Sequence, residues 1–275
     1  MTTLSGLGGI EHGNLVEIER LNQRGGRTLS IVDLVDAGTM DAEMAALCRI
    51  MVLNGTSWLT GAVPGGAGKT TIMAALLGFL PPGEPIVTVA DAYVLCDAAR
   101  GRIPRPATLL VHELGAGRWY GYLWGTAACD FLRLAGGGRR CVTCMHADDP
   151  GQALAMLAPF GVAAGDLGGI GLQLYIHVAR ARRGAMRRVR TLYVRLGGRL
   201  EPIYRWREDE DRFERLLPRA EVGSRLAREW GARPDGVAAA WDAGEQAVNA
   251  LRCRGVRGFD DVRRAFLEPG PIGTR

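Results

Sequence analysis

The stretch Thr60–Leu80, TGAVPGGAGKTTIMAALLGFL, holds Lys69, the only lysine in a 275-residue chain that carries thirty-three arginines. Lys69 stands between Gly68 and Thr70, after a glycine-rich run and ahead of an apolar segment of helical length. A strand, a glycine-rich turn, Gly-Lys-Thr and then a helix make a phosphate-binding loop. Glycines let the backbone wrap an anion without Cβ clashes, and a helix N-terminus offers unpaired N–H groups and partial positive charge. A lysine ammonium is compact enough to slide between the β and γ phosphates, whereas the planar arginine fork is bulkier and fixed in direction. An arginine-rich chain therefore keeps lysine where arginine does not fit. The expected ligands are ATP and Mg²⁺. Pro64, Gly65, Gly66, Ala67, Gly68, Lys69, Thr70 and Thr71 would surround the phosphates, with the Thr70 hydroxyl on the metal. The pattern G-x-x-x-x-G-K-[ST] asks for glycine at position 63, where Val63 stands, and Gly61 comes two residues early.

On either side of the loop the chain alternates between helical and strand periodicity. Asp41–Leu53 has helical spacing with Asp41 as N-cap and Asn54-Gly55 as its stop, and SWLTG (57–61) is a short buried strand. The helix after the loop is expected over Lys69–Phe79, closed by Pro81-Pro82-Gly83. PIVTVAD (85–91), ATLLVHE (107–113) and RCVTCMHA (140–147) read as strands, and WYGYLWGTAACDFLRLA (119–135) as a helix. Another helix should run from Asp149 or Pro150 to about Leu157. LYIHVARA (174–181) and RRVRTLYVRLG (187–197) are further strands, the second joined to LEPIYRW through a Gly197-Gly198 hairpin. From Asp211 onward the pattern turns helical and amphipathic. This alternation predicts an α/β fold with a mostly parallel sheet flanked by helices and a small C-terminal helical appendage.

Bulk composition narrows the function. A hydrophobic fraction of 47% and a charged fraction of 23% suit a soluble globular protein, with Met1–Gly9 and Pro269–Arg275 expected to be loose. No apolar run reaches about 18 residues, and the first twenty residues lack a charged start followed by an apolar block, so neither a span nor a signal peptide is expected. Six cysteines without disulfide-type density fit a reducing cytoplasm. The net charge of +5 gathers in clusters such as ARARRGAMRRVRTLYVR (179–195). These suit either a nucleic-acid face or an arginine-biased solvent coat, and the scarcity of interleaved aromatics favours the coat.

Phosphoryl transfer needs a carboxylate at the end of a neighbouring strand, to hold Mg²⁺ or polarise water. Glu113 ends LLVHE in that place, and Asp91 ends IVTVAD at the same carboxyl edge, where ligands bind open sheets. CVTCMHADDP brings Cys141, Cys144 and His146 together, but a closed zinc site needs four ligands, and residues 141 and 144 of a strand face opposite ways. His146 instead closes a strand on the expected active edge, where it would sense the γ-phosphate or order the attacking water.

Taken together, these motifs resemble the secretion ATPase superfamily, the hexameric motors of type II and type IV secretion, pilus and archaellum assembly, and most closely its archaeal-type C-terminal ATPase domain. LSIVDLVDAGTMDAEMAALCRIMVLNGTSWLTG is similar to the family's approach to the loop, and GKTTIMAALLGFLPPGEPIVTVAD to its loop, helix, proline break and aspartate box. RPATLLVHELG is similar to its Walker B strand, landing on Glu113, and CVTCMHADDPGQALAML to its histidine box, landing on His146. RRVRTLYVRLGGRLEPIYRWREDEDRFE and the helices after it resemble the archaeal-type C-terminal segment. The resemblance covers about Thr28–Pro269 and implies a RecA-like P-loop NTPase. It would divide into an N-terminal segment over 1–27, partly flexible, an ATPase domain over 28–207, a helical subdomain over 208–270 and a tail over 271–275. The family's separate N-terminal domain is expected to be essentially absent. Ala90 stands where the aspartate box is usually acidic, Gly115 replaces an arginine, and Arg139 replaces the earlier histidine of the histidine box. Arg102 and Arg105, with Arg100 behind them, are the nearest candidates for the family's catalytic arginines.

Three functions follow from the resemblance and the residues. The first is a P-loop ATPase motor of a type II or type IV secretion, pilus or archaellum-like system. It would work as a homo-oligomeric, hexameric ring in the cytoplasm, peripheral at the membrane through an inner-membrane platform protein, with nucleic acid not among its partners. The second is a catalytically weakened nucleotide-binding paralogue acting as regulator or assembly partner. The third is a nucleic-acid-binding or DNA-transfer ATPase.

Overall fold

SWLTG forms β1 (Ser57–Gly61), and every residue of it is buried because it lies inside the sheet. It pairs in parallel with β6 (Arg140–Met145) on one side and β7 (Ile170–Ala181) on the other. Beyond β6 come β3 (Thr108–Leu110) and β2 (Ile86–Thr88), both parallel. Beyond β7 the sheet turns antiparallel through β8 (Gly184–Leu196), β9 (Arg199–Arg207) and β10 (Arg212–Arg215). Two short strands, β4 (Glu113–Leu114) and β5 (Tyr122–Leu123), pair in parallel, and β4 also meets β6. The order β10-β9-β8-β7-β1-β6-β3-β2 makes an α/β sheet that is parallel from β7 to β2 and antiparallel from β7 to β10. The computed structural model describes residues 4–22, 25–181 and 184–267.

Strand periodicity sorts side chains into two apolar layers. Trp58, Leu110, Val142 and Cys144 pack on one face, under α1 (Leu4–Arg20), α2 (Ile31–Asp36), α3 (Ala42–Leu53) and α4 (Lys69–Leu77). The C-terminal helices α8 (Arg219–Trp230), α9 (Pro234–Cys253) and α10 (Phe259–Leu267) join this layer through Val222, Leu226, Trp241 and Phe259. Leu59, Leu109, Val111 and Cys141 face the other layer, covered by α5 (Ala92–Ala99), α6 (Thr126–Gly136) and α7 (Pro150–Leu157). Local chemistry sets the element ends. Asp41 caps α3 by accepting from the Met44 N–H at 2.7 Å, and Asp149 caps α7 through Gln152 N–H at 2.8 Å. Gly197 and Gly198, at φ 61° and 79°, make the two-residue turn between β8 and β9.

Four expectations from the sequence are corrected. Leu4–Gly9 are not loose but belong to α1, which docks through buried Ile18 and through Asn14; the amide of Asn14 donates to Glu84 O at 2.9 Å and accepts from Ile86 N–H at 2.7 Å. The strand expected over Ala107–Glu113 is broken, because His112 N–H turns to Gly121 O at 2.7 Å and β4 swings towards β5. The helix expected over 119–135 begins only at Thr126: Gly121 and Gly125 take φ values of 74° and 65°, and Tyr122-Leu123 pair with β4. The helical pattern expected from Asp211 is preceded by β10, which extends the sheet, and resumes at Arg219. The tail expected to be loose lies outside the described residues. No helix among the described residues is long and apolar enough to cross a membrane.

Candidate functional site

The chain leaves β1 at Gly61, whose glycine answers to packing: a Cβ there would lie 2.5 Å from the Ala147 carbonyl and the Tyr175 ring. Gly61 is therefore not a displaced loop glycine. Val63 takes no left-handed backbone, since Asp211 is the only non-glycine with positive φ among the described residues, so a side chain at position 63 costs no strain. Its backbone staples the loop to the segment after β6. Val63 N–H donates to Asp148 Oδ1 at 2.7 Å, and Val63 O accepts from His146 Nδ1 at 2.7 Å. Gly66 and Gly68 supply the left-handed turns, at φ 75° and 99°, that curl the chain into α4. Among the described residues, the N–H groups of Gly65, Gly66, Ala67 and Gly68 donate to no protein acceptor, and the first helical bond runs from Ile72 N–H to Gly68 O at 3.0 Å. That donor set fits a phosphate.

Lys69 is buried, at 6% exposure, with its Nζ 3.4 Å from Ala62 O and 3.3 Å from each ring nitrogen of His146. A carbonyl only accepts, so the short bond to Val63 O places the proton of His146 on Nδ1. The other nitrogen, Nε2, lies 3.4 Å from Glu113 Oε2. It can accept from the Lys69 ammonium or, with a second ring proton, donate to Glu113. Lys69, Glu113 and His146 thus meet beyond the carboxyl ends of β1, β3 and β6, in a cavity of about 980 Å³ that Gly65–Thr71 also line. Pro64 sits exposed and does not line it. Gly115 matters to Glu113: a Cβ at that position would come 2.7 Å from Glu113 Oε1, so glycine there leaves room for the carboxylate.

The remaining candidates fall elsewhere. Asp91 caps α5, accepting from Tyr93 and Val94 N–H at 2.8 and 3.2 Å, and does not line the cavity. Arg102 pairs with Asp97 at 3.0 Å, and Arg105 donates to the carbonyls of Gly137 and Gly138, just ahead of β6. Arg105 thus lies at the amino edge of the parallel strands, across the sheet from the loop. Arg139 is buried and donates to Ala98, Ile103 and Pro104 carbonyls, a structural clasp. Cys141 and Cys144 face opposite layers, burial pushes both thiols up, and no group of three metal-ligating side chains occurs among the described residues. Sequence reasoning missed Asp148, Tyr122 and the arginines that do line the cavity, Arg27, Arg187 and Arg188. Strand alternation in RRVRTLYVR could have sorted Arg187 from Arg188, but not said which faces a loop about 120 residues away.

No protein-family model matches the chain. Two Mycobacterium tuberculosis proteins, from strains CDC 1551 and H37Rv and each named "Putative conjugal transfer protein", are 30% identical to it over 66% of this chain and 59% of their own. The chain therefore spans about 59% of the length of the curated relatives it matches. Among solved structures, the VirB11 ATPase of the Brucella suis type IV secretion system in complex with sulphate shares 18% identity, over 70% of this chain and 62% of that one, with a TM-score of 0.43. The ATPase DotB of Yersinia pseudotuberculosis shares 13%, over 85% and 62%, with a TM-score of 0.41. In its motifs the chain resembles the secretion ATPase superfamily, and the curated relatives it is similar to carry a conjugal-transfer name.

Proposed function

We propose that the chain is the ATP-binding, ATP-hydrolysing motor subunit of a secretion system, of the type IV transfer kind that the names of its relatives suggest. The observation that carries this is the meeting of Glu113 and His146 with the buried Lys69 beside a loop whose Gly65–Gly68 N–H groups have no acceptor among the described residues. The loop amides and Lys69 would bind the triphosphate of ATP, the substrate. Glu113 would orient and polarise the attacking water, and His146, held by Val63 O, would report on the γ-phosphate. Thr70 and Glu113 would hold Mg²⁺, which neutralises charge on the phosphates and keeps several waters, so an all-protein cage of ligands is not required. Assembly as a hexameric ring in the cytoplasm, on an inner-membrane platform protein, extends the same proposal. The helices after β10, packed on the same core as the sheet, would serve as its C-terminal helical subdomain.

A second reading is nucleotide binding with little turnover. It is favoured by Asp91 being spent as a helix cap and by Arg102 and Arg105 lying away from the cavity, which leaves the developing charge to an arginine from elsewhere. Steady-state hydrolysis by the purified chain and by Glu113→Gln separates the two. A parent rate well above that of the variant supports the motor; equal, negligible rates with intact ATP binding support the second reading.

A further inference from the structure

We propose that Arg187 of β8 is a positioning residue of the phosphate loop: it pins the Gly66 carbonyl and thereby fixes the direction in which the Ala67 N–H of the phosphate cradle points. This rests on the nucleotide-binding reading above. The Arg187 guanidinium donates twice to Gly66 O, from Nε at 3.3 Å and from Nη2 at 3.1 Å. Its Cδ lies 3.3 Å from where a Cβ on Gly68 would stand, so the side chain crosses both left-handed glycines of the loop.

The Gly66–Ala67 peptide is trans, and in a trans peptide the C=O and N–H point in opposite directions. Drawing the carbonyl towards Arg187 aims the Ala67 N–H away from it. That N–H donates to no protein acceptor among the described residues, and Ala67 lines the cavity. A charged donor on the carbonyl also polarises the peptide and strengthens its N–H as a donor.

Among the cavity arginines, Arg187 differs in its company. Arg27 is paired with Asp33 at 2.5 Å and Arg188 with Asp211 at 2.7 Å. Arg187 meets only carbonyl oxygens among the described residues, those of Gly66 and, at 3.4 Å, Ala185. No carboxylate among the described residues pairs with it, so the loop keeps a positive neighbour.

The test is calorimetric titration of the full chain, Arg187→Ala and Arg187→Lys with ATP and with inorganic tripolyphosphate, magnesium present. Arg187→Ala should weaken both ligands by roughly tenfold or more, the worth of one charge-assisted hydrogen bond. Arg187→Lys, which keeps a charged donor, should recover part of the loss. Parental affinity of Arg187→Ala for both ligands overturns the proposal, as does a loss that lysine does not lessen. If the parent binds neither ligand, the nucleotide-binding reading falls first and takes this inference with it; binding by the parent in the same titration keeps the two failures apart.

Discussion

Lys69 is enclosed by Ala62 O and by the His146 ring, with no carboxylate in hydrogen-bond contact among the described residues, so its charge awaits an anion. Lys69→Ala should abolish measurable ATP binding, and Lys69→Arg should fail as well, because the guanidinium does not fit an ammonium-sized space. Equilibrium titration checks both, and wild-type affinity in the arginine variant would contradict the size argument. Glu113→Gln keeps the shape of its side chain, so it should bind ATP as the parent does while turnover falls by about 10²- to 10⁴-fold, the range for losing a general base. Lys69, Glu113 and His146 were legible in the sequence because each begins a helix or follows an apolar strand run at the edge where ligands bind. Val63 looked like a defect in the motif, yet its main chain carries the staples to His146 and Asp148. Arg187 and Asp148 were not legible, since their roles are contacts with backbone atoms far away in the chain.

Helix ends and hairpin turns follow local rules, and the caps at Asp41 and Asp149 and the Gly197-Gly198 turn were all readable from the residues alone. The β9–β10 turn was not, because it depends on Asp211. This residue takes φ 44°, accepts from Arg188 Nε at 2.7 Å and Trp206 Nε1 at 2.9 Å, and ties the turn to the strand that lines the cavity. The Arg188 hydrogen bonds hold its carboxyl down to about 2. A carboxylate whose folded pKa is depressed adds stability above its unfolded pKa, near 4, and loses it as pH falls towards 2. Asp211→Asn, which tolerates the left-handed backbone, should therefore lower stability near neutral pH by no more than about 1 kcal/mol, because the side chain is half exposed and screened. Urea denaturation at a series of pH values should show that difference shrinking between about pH 4 and pH 2. A difference independent of pH would assign the effect to packing instead. The helix α5 went unread although Asp91 precedes it, because its short apolar face blends into the segment after β2.

Across the molecule, Arg263 joins parts of the chain that no local pattern connects. Its side chain is 4% exposed, pairs with Glu11 of α1 at 2.8 Å and donates to the carbonyls of Gly78 and Leu80 after α4. Arg263→Ala strands those groups without their cation and should cost about 3–5 kcal/mol, read as a lower urea midpoint. Native thiol labelling reports on the layers: Cys96 and Cys253 should react, while buried Cys48, Cys141 and Cys144, whose thiols burial pushes up, should react only after unfolding. The alternating fold, the loop and the three residues at its mouth came from the chain's own periodicity and chemistry, because β-strands, caps and glycine turns depend on neighbours a few positions apart. The antiparallel pairing of β7 with β8 and the addition of β10, the broken strand at His112, the arginines that line the cavity and the placement of Arg102 and Arg105 away from it came from packing. Such contacts between residues tens to hundreds of positions apart leave no periodic trace in a single sequence.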